Sequence, residues 1–138
     1  MELRYAHIAD YAGVDASGKL TLVGIFDVVW DSLGVRPIPF PPFHLVAVFE
    51  ASVAEGAEHD IEIVLVDDDE NAHGGVIKGK LQLRSQGVGH LARGHLMIGF
   101  GPNVITVPEL GDYYFQFKVD GAKLGQIRAS ALAAPKRA

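Results

Sequence analysis

EHDIEIVLV, Glu58–Val66, alternates strictly: Glu58, Asp60 and Glu62 on one side, His59, Ile61, Ile63 and Leu65 on the other. A period of two belongs to a half-buried strand. VIKGKLQLR, Val76–Arg84, repeats the pattern with opposite charge. Lys78, Lys80, Gln82 and Arg84 share one face, and Ile77, Gly79, Leu81 and Leu83 the other. Folding these stretches about Asn71 predicts a hairpin with Glu62 opposite Lys80, Asp60 opposite Gln82 and Glu58 opposite Arg84. An acidic ladder then meets a basic one on the wet side of a sheet whose other side is apolar. The linker Asp67–Gly75 carries four acids in a row. It lacks the alternating ligands, mid-loop glycine and distal glutamate of a calcium loop, and reads as an exposed acidic turn.

The same alternation extends outward from this hairpin. It predicts about eight strands: Leu3–Gly13, Lys19–Trp30, Phe43–Val53, Glu58–Val66, Val76–Arg84, His95–Phe100, Asn103–Val107 and Asp112–Asp120. Lys123–Ala133 is a further candidate, and Ala129–Ala134 has helix propensity only over a short terminal stretch. Many short strands between turn signals predict an all-β fold, an antiparallel two-sheet β-sandwich of immunoglobulin-like or jelly-roll-like type. Residues 1–133 form one domain in this reading, and 134–138 a disordered tail. Four prolines within Arg36–Pro42 exclude an internal strand there and predict a crossover between sheets, with Phe40–Pro41 a candidate cis bond. In Gly111–Gly121, a corner at Pro108–Gly111 precedes an inward aromatic face of Tyr113, Phe115 and Phe117. That pattern resembles a tyrosine corner. Asp120-Gly121 predicts a two-residue hairpin turn, and Gly125 a bulge that returns Ile127 to the core.

Composition narrows the classes. The absence of cysteine removes disulfides, thiolate zinc sites and cysteine nucleophiles, and fits a reducing compartment. No apolar run approaches the ~20 residues of a membrane-spanning helix, and the N-terminus lacks the pattern of a signal peptide. These features predict a cytoplasmic protein. The net charge of −5 is divided unevenly. Residues 1–70 hold 3 Lys/Arg against 14 Asp/Glu, a balance of −11, and residues 71–138 hold 9 against 3, a balance of +6. Mutual neutralisation within one fold accounts for this asymmetry. Nucleic-acid binding is disfavoured, because no aromatic residue interleaves with Lys78, Lys80 and Arg84 to stack on bases.

ADYAGVDASGKLTLVGIFDVVW, Ala9–Trp30, places carboxylates inside strand-like sequence at Asp10 and Asp27. A four-residue loop, Asp15–Gly18, sets Val14 against Lys19. Leu3, Tyr5, His7, Ala9 and Tyr11 then share a core face with Leu20, Leu22, Gly24, Phe26 and Val28. The opposite, mixed face carries Ala6, Ile8, Asp10, Val23, Ile25 and Asp27. In that register the two aspartates stand roughly 13 Å apart, too far to share an ion or a proton. Contiguous apolar residues on such a face predict an interface, with a homodimer or another protein as partner.

Of the six histidines, none has zinc-helix spacing, so no metal site and no cofactor is predicted. His7 and His59 fall on predicted inward faces. The glycine-rich Gln86–His95, containing His90, Arg93 and His95, reads as a mobile connection able to contact a ligand. It lacks the lysine and the strand-to-helix context of a phosphate loop. No nucleophile elbow or serine–base pair is present. The leading expectation is a non-catalytic module acting through self-association or protein–protein contact. The alternative is a small-ligand-binding sandwich, or an enzyme, with a pocket near His7, His59, His90, Arg93 and His95.

Ala9-Asp10-Tyr11-Ala12, Gly18-Lys19-Leu20 and Gly24-Ile25-Phe26-Asp27, together with Gly111-x-Tyr113-x-Phe115 leading to Val119-Asp120-Gly121, resemble a family of uncharacterised bacterial proteins of similar length. The resemblance covers nearly the whole chain and implies an all-β fold. It implies no activity and assigns no functional residue.

Overall fold

The computed structural model describes residues 1–85, 87 and 89–135. Among them lie twelve strands: β1 Glu2–Val14, β2 Leu20–Phe26, β3 Val28–Asp31, β4 Ile38–Pro39, β5 Phe43–Ser52, β6 Glu58–Asp67, β7 Ala72–Gln82, β8 Arg84–Ser85, β9 Leu91–Phe100, β10 Thr106–Val107, β11 Gly111–Val119 and β12 Ala122–Ala133. A single 3-10 turn, Val53–Glu55, follows β5. The excess over eight strands comes from β12, from the two-residue β4 and β8, and from the division of Lys19–Trp30 at Asp27. The Ala-rich end of β12 is strand rather than helix because it closes the core, where Ala129 and Ala131 are fully buried.

Two five-stranded sheets pack face to face as a β-sandwich, in the orders β2-β1-β5-β9-β8 and β3-β12-β11-β6-β7, with the short β10-β4 pair beside them. The chain switches sheets at Asp27. It leaves the first sheet at the end of β2 and enters the second as β3, which runs parallel to β12. The Ser130 amide donates to the Asp27 carbonyl at 2.8 Å and ties the crossing down. The other strand pairs are antiparallel, as expected of the sandwich, and β3 with β12 is the parallel exception among the described residues. The proline segment carries the chain from β3 back to β5 in the first sheet, as expected of a crossover. Its cis bond is Arg36–Pro37 and not Phe40–Pro41.

Phenylalanines from both sheets fill the core: Phe49 meets Phe117 at 6.2 Å, and Phe43 lies 5.9 Å from Phe115 and 4.8 Å from Phe100, ring centre to ring centre. The Tyr113 hydroxyl donates to the Glu109 carbonyl at 2.7 Å, closing a tyrosine corner at the entry to β11. Asp120 and Gly121 both have positive φ between the paired Val119 and Ala122, the geometry of a tight hairpin turn. The β11–β12 register shifts between Phe117 and Lys118, leaving Leu124 as the extra residue next to Gly125, and Ile127 packs against the core.

The β6–β7 hairpin forms two residues out of the expected register. Glu58 pairs with Gln82, Asp60 with Lys80 and Glu62 with Lys78. The turn closes on Asp67, whose Oδ1 accepts from the amides of Asp69 and Asn71 at 2.9 and 3.0 Å, and a bulge follows between Ile63 and Leu65. A shift of two keeps every side chain on its face. The acid–base ladder therefore survives: Lys80 bridges Asp60 and Glu58, and Lys78 lies 3.8 Å from Glu62. Further pairs join the acidic and basic halves, Glu50–Arg93, Glu70–Lys123 and Asp27–Arg128, each at 3.8 Å.

Among the described residues no helix is long and apolar enough to cross a membrane. Ala134 and Pro135 have no regular structure. The rest of the expected disordered tail, 136–138, lies outside the described residues. So do positions 86 and 88 of the expected mobile connection, whose second half is the start of β9.

Candidate functional site: the outer face of the first sheet

The β1–β2 hairpin pairs Val14 with Leu20, Ala12 with Leu22 and Ile8 with Phe26, one residue away from the expected register. The cause is a five-residue turn organised by Asp15. Its Oδ1 accepts from the Ser17 hydroxyl at 2.7 Å and from the amides of Ser17 and Lys19 at 2.9 Å each, with Gly18 at φ 85°. The Ser17 hydroxyl, with the Lys19 amide, holds the Asp15 carboxyl below its ordinary pKa. A second irregularity in β1, between Leu3 and Tyr5, leaves Arg4 as an extra residue. Leu3 therefore points at the core while Tyr5 does not.

A one-residue shift exchanges the two faces of a strand. Ala6 and Ile8, expected on the exposed mixed face, are buried in the core with Phe26 packed alongside. Tyr5, His7, Ala9 and Tyr11, expected inward, lie on the outer face together with Val23 and Ile25. Asp10 and Asp27 are both exposed, Asp10 beside Gly24 and Asp27 at the sheet crossing.

Pairing of β1, β5 and β9 extends this outer face across four strands. One row is Val23 and Tyr11. The next is Ile25, Ala9, His44 and Gly99, followed by His7, Val46 and Met97, then Tyr5, Val48 and His95. These rows contain no Lys, Arg, Asp or Glu. At their centre Ala9 and Val46 are 0% exposed and Val48 2%, although they face away from the core, because larger neighbours roof them. Around them Val23, Ile25 and Tyr11 are 55–56% exposed and Tyr5 41%. The rings hold one another: Tyr11 meets His44 edge-on at 5.9 Å, and Tyr5 lies 6.0 Å from His7. His44 sits over Gly99, where a Cβ would come within 3.3 Å of Nε2, and its Nδ1 is buried without a hydrogen-bond partner among the described residues. Charge returns only at the border, with Glu50 and Arg93 at 3.8 Å and Arg4 on Glu2 at 2.7 Å.

The chain belongs to the family DUF6941. That family, one of unknown function, matches residues 4–130, from β1 into β12 and including every row of the outer face. No curated protein matches the chain.

The five expected ligand-binding residues do not converge in this DUF6941 fold. His7 and His95 share the outer face, but β5 separates their strands and they lie in adjacent rows, so roughly 12 Å lies between their backbones. Arg93 is at the border, ion-paired to Glu50. His90 is exposed in the turn before β9, its carbonyl accepting from the Val53 amide at 2.7 Å. His59 alone is inward and buried. Its Nδ1 meets Asp120 Oδ2 at 2.6 Å and its Nε2 the Gly56 carbonyl at 2.9 Å. The Asp120 contact raises the His59 pKa against the opposing effect of burial, and His59 in turn lowers that of Asp120. Both ring nitrogens are thereby occupied in holding the loop after β5 to the β11–β12 turn. Among the described residues no three His, Asp or Glu side chains are placed to hold a metal ion.

Two clefts flank the sheet crossing. One, of about 650 Å³, opens between β1 and β12 and is lined by His7, Asp27, Tyr114, Gln126 and Arg128 among others. The second, of about 630 Å³, opens at the mouth of the sandwich beside β3 and the proline segment and includes Asp10 and Trp30. Tyr5, Tyr11, His44 and Met97 are outer-face residues that sequence patterning missed. The signal for them lies in β5, where the run Leu45–Phe49 is apolar at every position. A strand without alternation is covered on both faces.

Proposed function

We propose that the protein is a non-catalytic module that self-associates through the outer face of its first sheet. The observation that carries this reading is the uncharged surface formed by Val23, Ile25, Tyr11, Tyr5 and Met97 around the buried Ala9, Val46 and Val48. Interface centres are depleted in charge and enriched in tyrosine and methionine, with charged residues kept to the rim. This face has that composition, with Glu50, Arg93 and Arg4 at its edge. Exposed apolar surface of such continuity on a soluble monomer favours association. The complement it requires is itself flat, uncharged and aromatic, which a second copy of the same face supplies about a two-fold axis.

The apolar patterning and the absence of cysteine support residence in the cytoplasm. The salt links of Lys78 and Lys80 to strand β6 count against a nucleic-acid role. Light scattering coupled to size-exclusion chromatography tests the reading. A dimer at micromolar concentration, converted to monomer by Ile25→Glu, is the expected result. A wild-type protein that stays monomeric across that range overturns it.

A further inference from the structure

The cleft at the sandwich mouth shares Ile25 with the outer face, but the rest of its lining has a chemistry of its own. Its volume of about 630 Å³ is that of a small-molecule site. The floor is apolar and preorganised: Ile38 and Phe40 are buried, and Phe26 and Phe40 pack on Phe43 at 6.3 and 5.8 Å. Pro39, Pro41 and Pro42 line it with fixed backbone φ, so little conformational freedom remains to be lost on binding.

Two carboxylates reach this apolar surround. Asp31 is already engaged, accepting from Arg36 at 2.9 Å and from the Gly34 amide at 3.0 Å. The Asp10 carboxylate has neither a hydrogen bond nor an ion pair among the described residues. Its carboxylate lies against Gly24, where a Cβ would come within 2.3 Å of Oδ2, and both residues line the cleft. Trp30, half exposed, also lines it. An unengaged carboxylate beside an apolar floor favours a cation over a neutral or anionic group, and an indole ring adds to that preference.

We propose that this cleft binds a small organic cation, its aromatic or aliphatic body on Phe26 and Phe40 and its ammonium group on Asp10. Trp30 is the only tryptophan in the chain, so its fluorescence reports occupancy directly. Titration with 3-phenylpropylammonium is expected to change that emission saturably. The uncharged 3-phenylpropanol should bind about tenfold more weakly, the difference one charge-assisted hydrogen bond makes. 3-Phenylpropionate should give no saturable change. Asp10→Asn, with its fold checked by circular dichroism, should reduce the ammonium's affinity to that of the alcohol. Leu33→Arg, a change at a highly exposed lining residue, should weaken the ammonium by placing a competing cation at the mouth. Equal affinities for ammonium and alcohol would overturn the proposal. So would an unchanged affinity in both variants, or no saturable response to the ammonium. Binding of a lysine-containing peptide in place of the free ammonium would overturn it in favour of a protein partner.

Discussion

Asp10 lies so close over Gly24 that a Cβ at residue 24 would stand 2.3 Å from Asp10 Oδ2, and Gly24 has φ 71° in mid-strand. Glycine is required here twice, for space and for backbone conformation. Gly24→Ala should cost about 1–3 kcal/mol, the usual range for a non-glycine residue held at such φ. Adding Asp10→Ala takes away the carboxylate but leaves the Cβ of residue 10 at 3.1 Å and the strain in place, so the double variant should recover only part of the loss. Urea denaturation of the two single variants and the double variant checks this. Full recovery would mean that φ at residue 24 carries no cost.

The His59–Asp120 pair predicts a two-sided dependence of stability on pH. The His59 pKa is raised, so its contribution is complete below the unfolded value of about 6.5 and is lost as pH rises through the folded value. The Asp120 pKa is lowered, so its contribution is complete above the unfolded value of about 3.9 and is lost as pH falls through the folded one. Stability from this pair is therefore greatest between those limits. His59→Gln should flatten the decline on the alkaline side. Denaturation midpoints measured from mildly acidic to mildly alkaline pH would show it, and an unchanged alkaline slope in the variant would assign the decline to other groups.

Tyr113→Phe deletes only the hydroxyl, which donates to the Glu109 carbonyl at 2.7 Å and accepts from the Glu109 amide at a long 3.4 Å, so the short bond dominates. Tyr113 is 4% exposed, so water cannot readily replace the bond. The expected loss is about 1 kcal/mol, typical of one buried hydrogen bond. For a domain of this size that lowers Tm by about 4 °C. Thermal unfolding followed by circular dichroism measures it. A variant melting with the wild type would mean that the corner is held by packing alone.

These residues also show where patterning carries information and where it fails. In β6 and β7 charge and apolarity alternate, so a register wrong by two still assigned every face correctly. In β1 the two faces read alike: Ala6 and Ile8 are as apolar as Tyr5, Ala9 and Tyr11, and a slip of one residue meets no penalty in the pattern. What decides between them is local geometry, the extra residue Arg4 and the five-residue turn on Asp15. Val23 and Ile25 were legible as surface residues because the register that assigned them erred only in their partners. Tyr11, His44 and Met97 were not, since their row exists only once β1, β5 and β9 are paired across distant parts of the chain. Asp10 was legible as an unusual strand carboxylate. The cleft it lines depends on the sheet switch at Asp27 and on a proline crossover whose path patterning does not specify.

The turn on Asp15 is the element that selects the face, and it can be tested directly. Three donors converge on one carboxylate oxygen, the Ser17 hydroxyl and the amides of Ser17 and Lys19. Asp15→Ala leaves them without an acceptor and frees the loop to shorten to the four-residue form. The shorter loop would turn Val23 and Ile25 toward the core side of the sheet, where Gly24 and Phe26 now lie. The native register retains the burial of Ala6, Ile8 and Phe26, so the fold is expected to survive while the turn loosens. Amide hydrogen exchange should accelerate at Ser17 and Lys19 and extend into β2, leaving β5 and β11 protected. Because the Asp15 pKa is lowered, the wild type should show the same loosening as pH falls through the folded value, and Asp15→Ala should show no such dependence. Unchanged exchange at both amides in the variant would mean that the β1–β2 ladder alone sets the register.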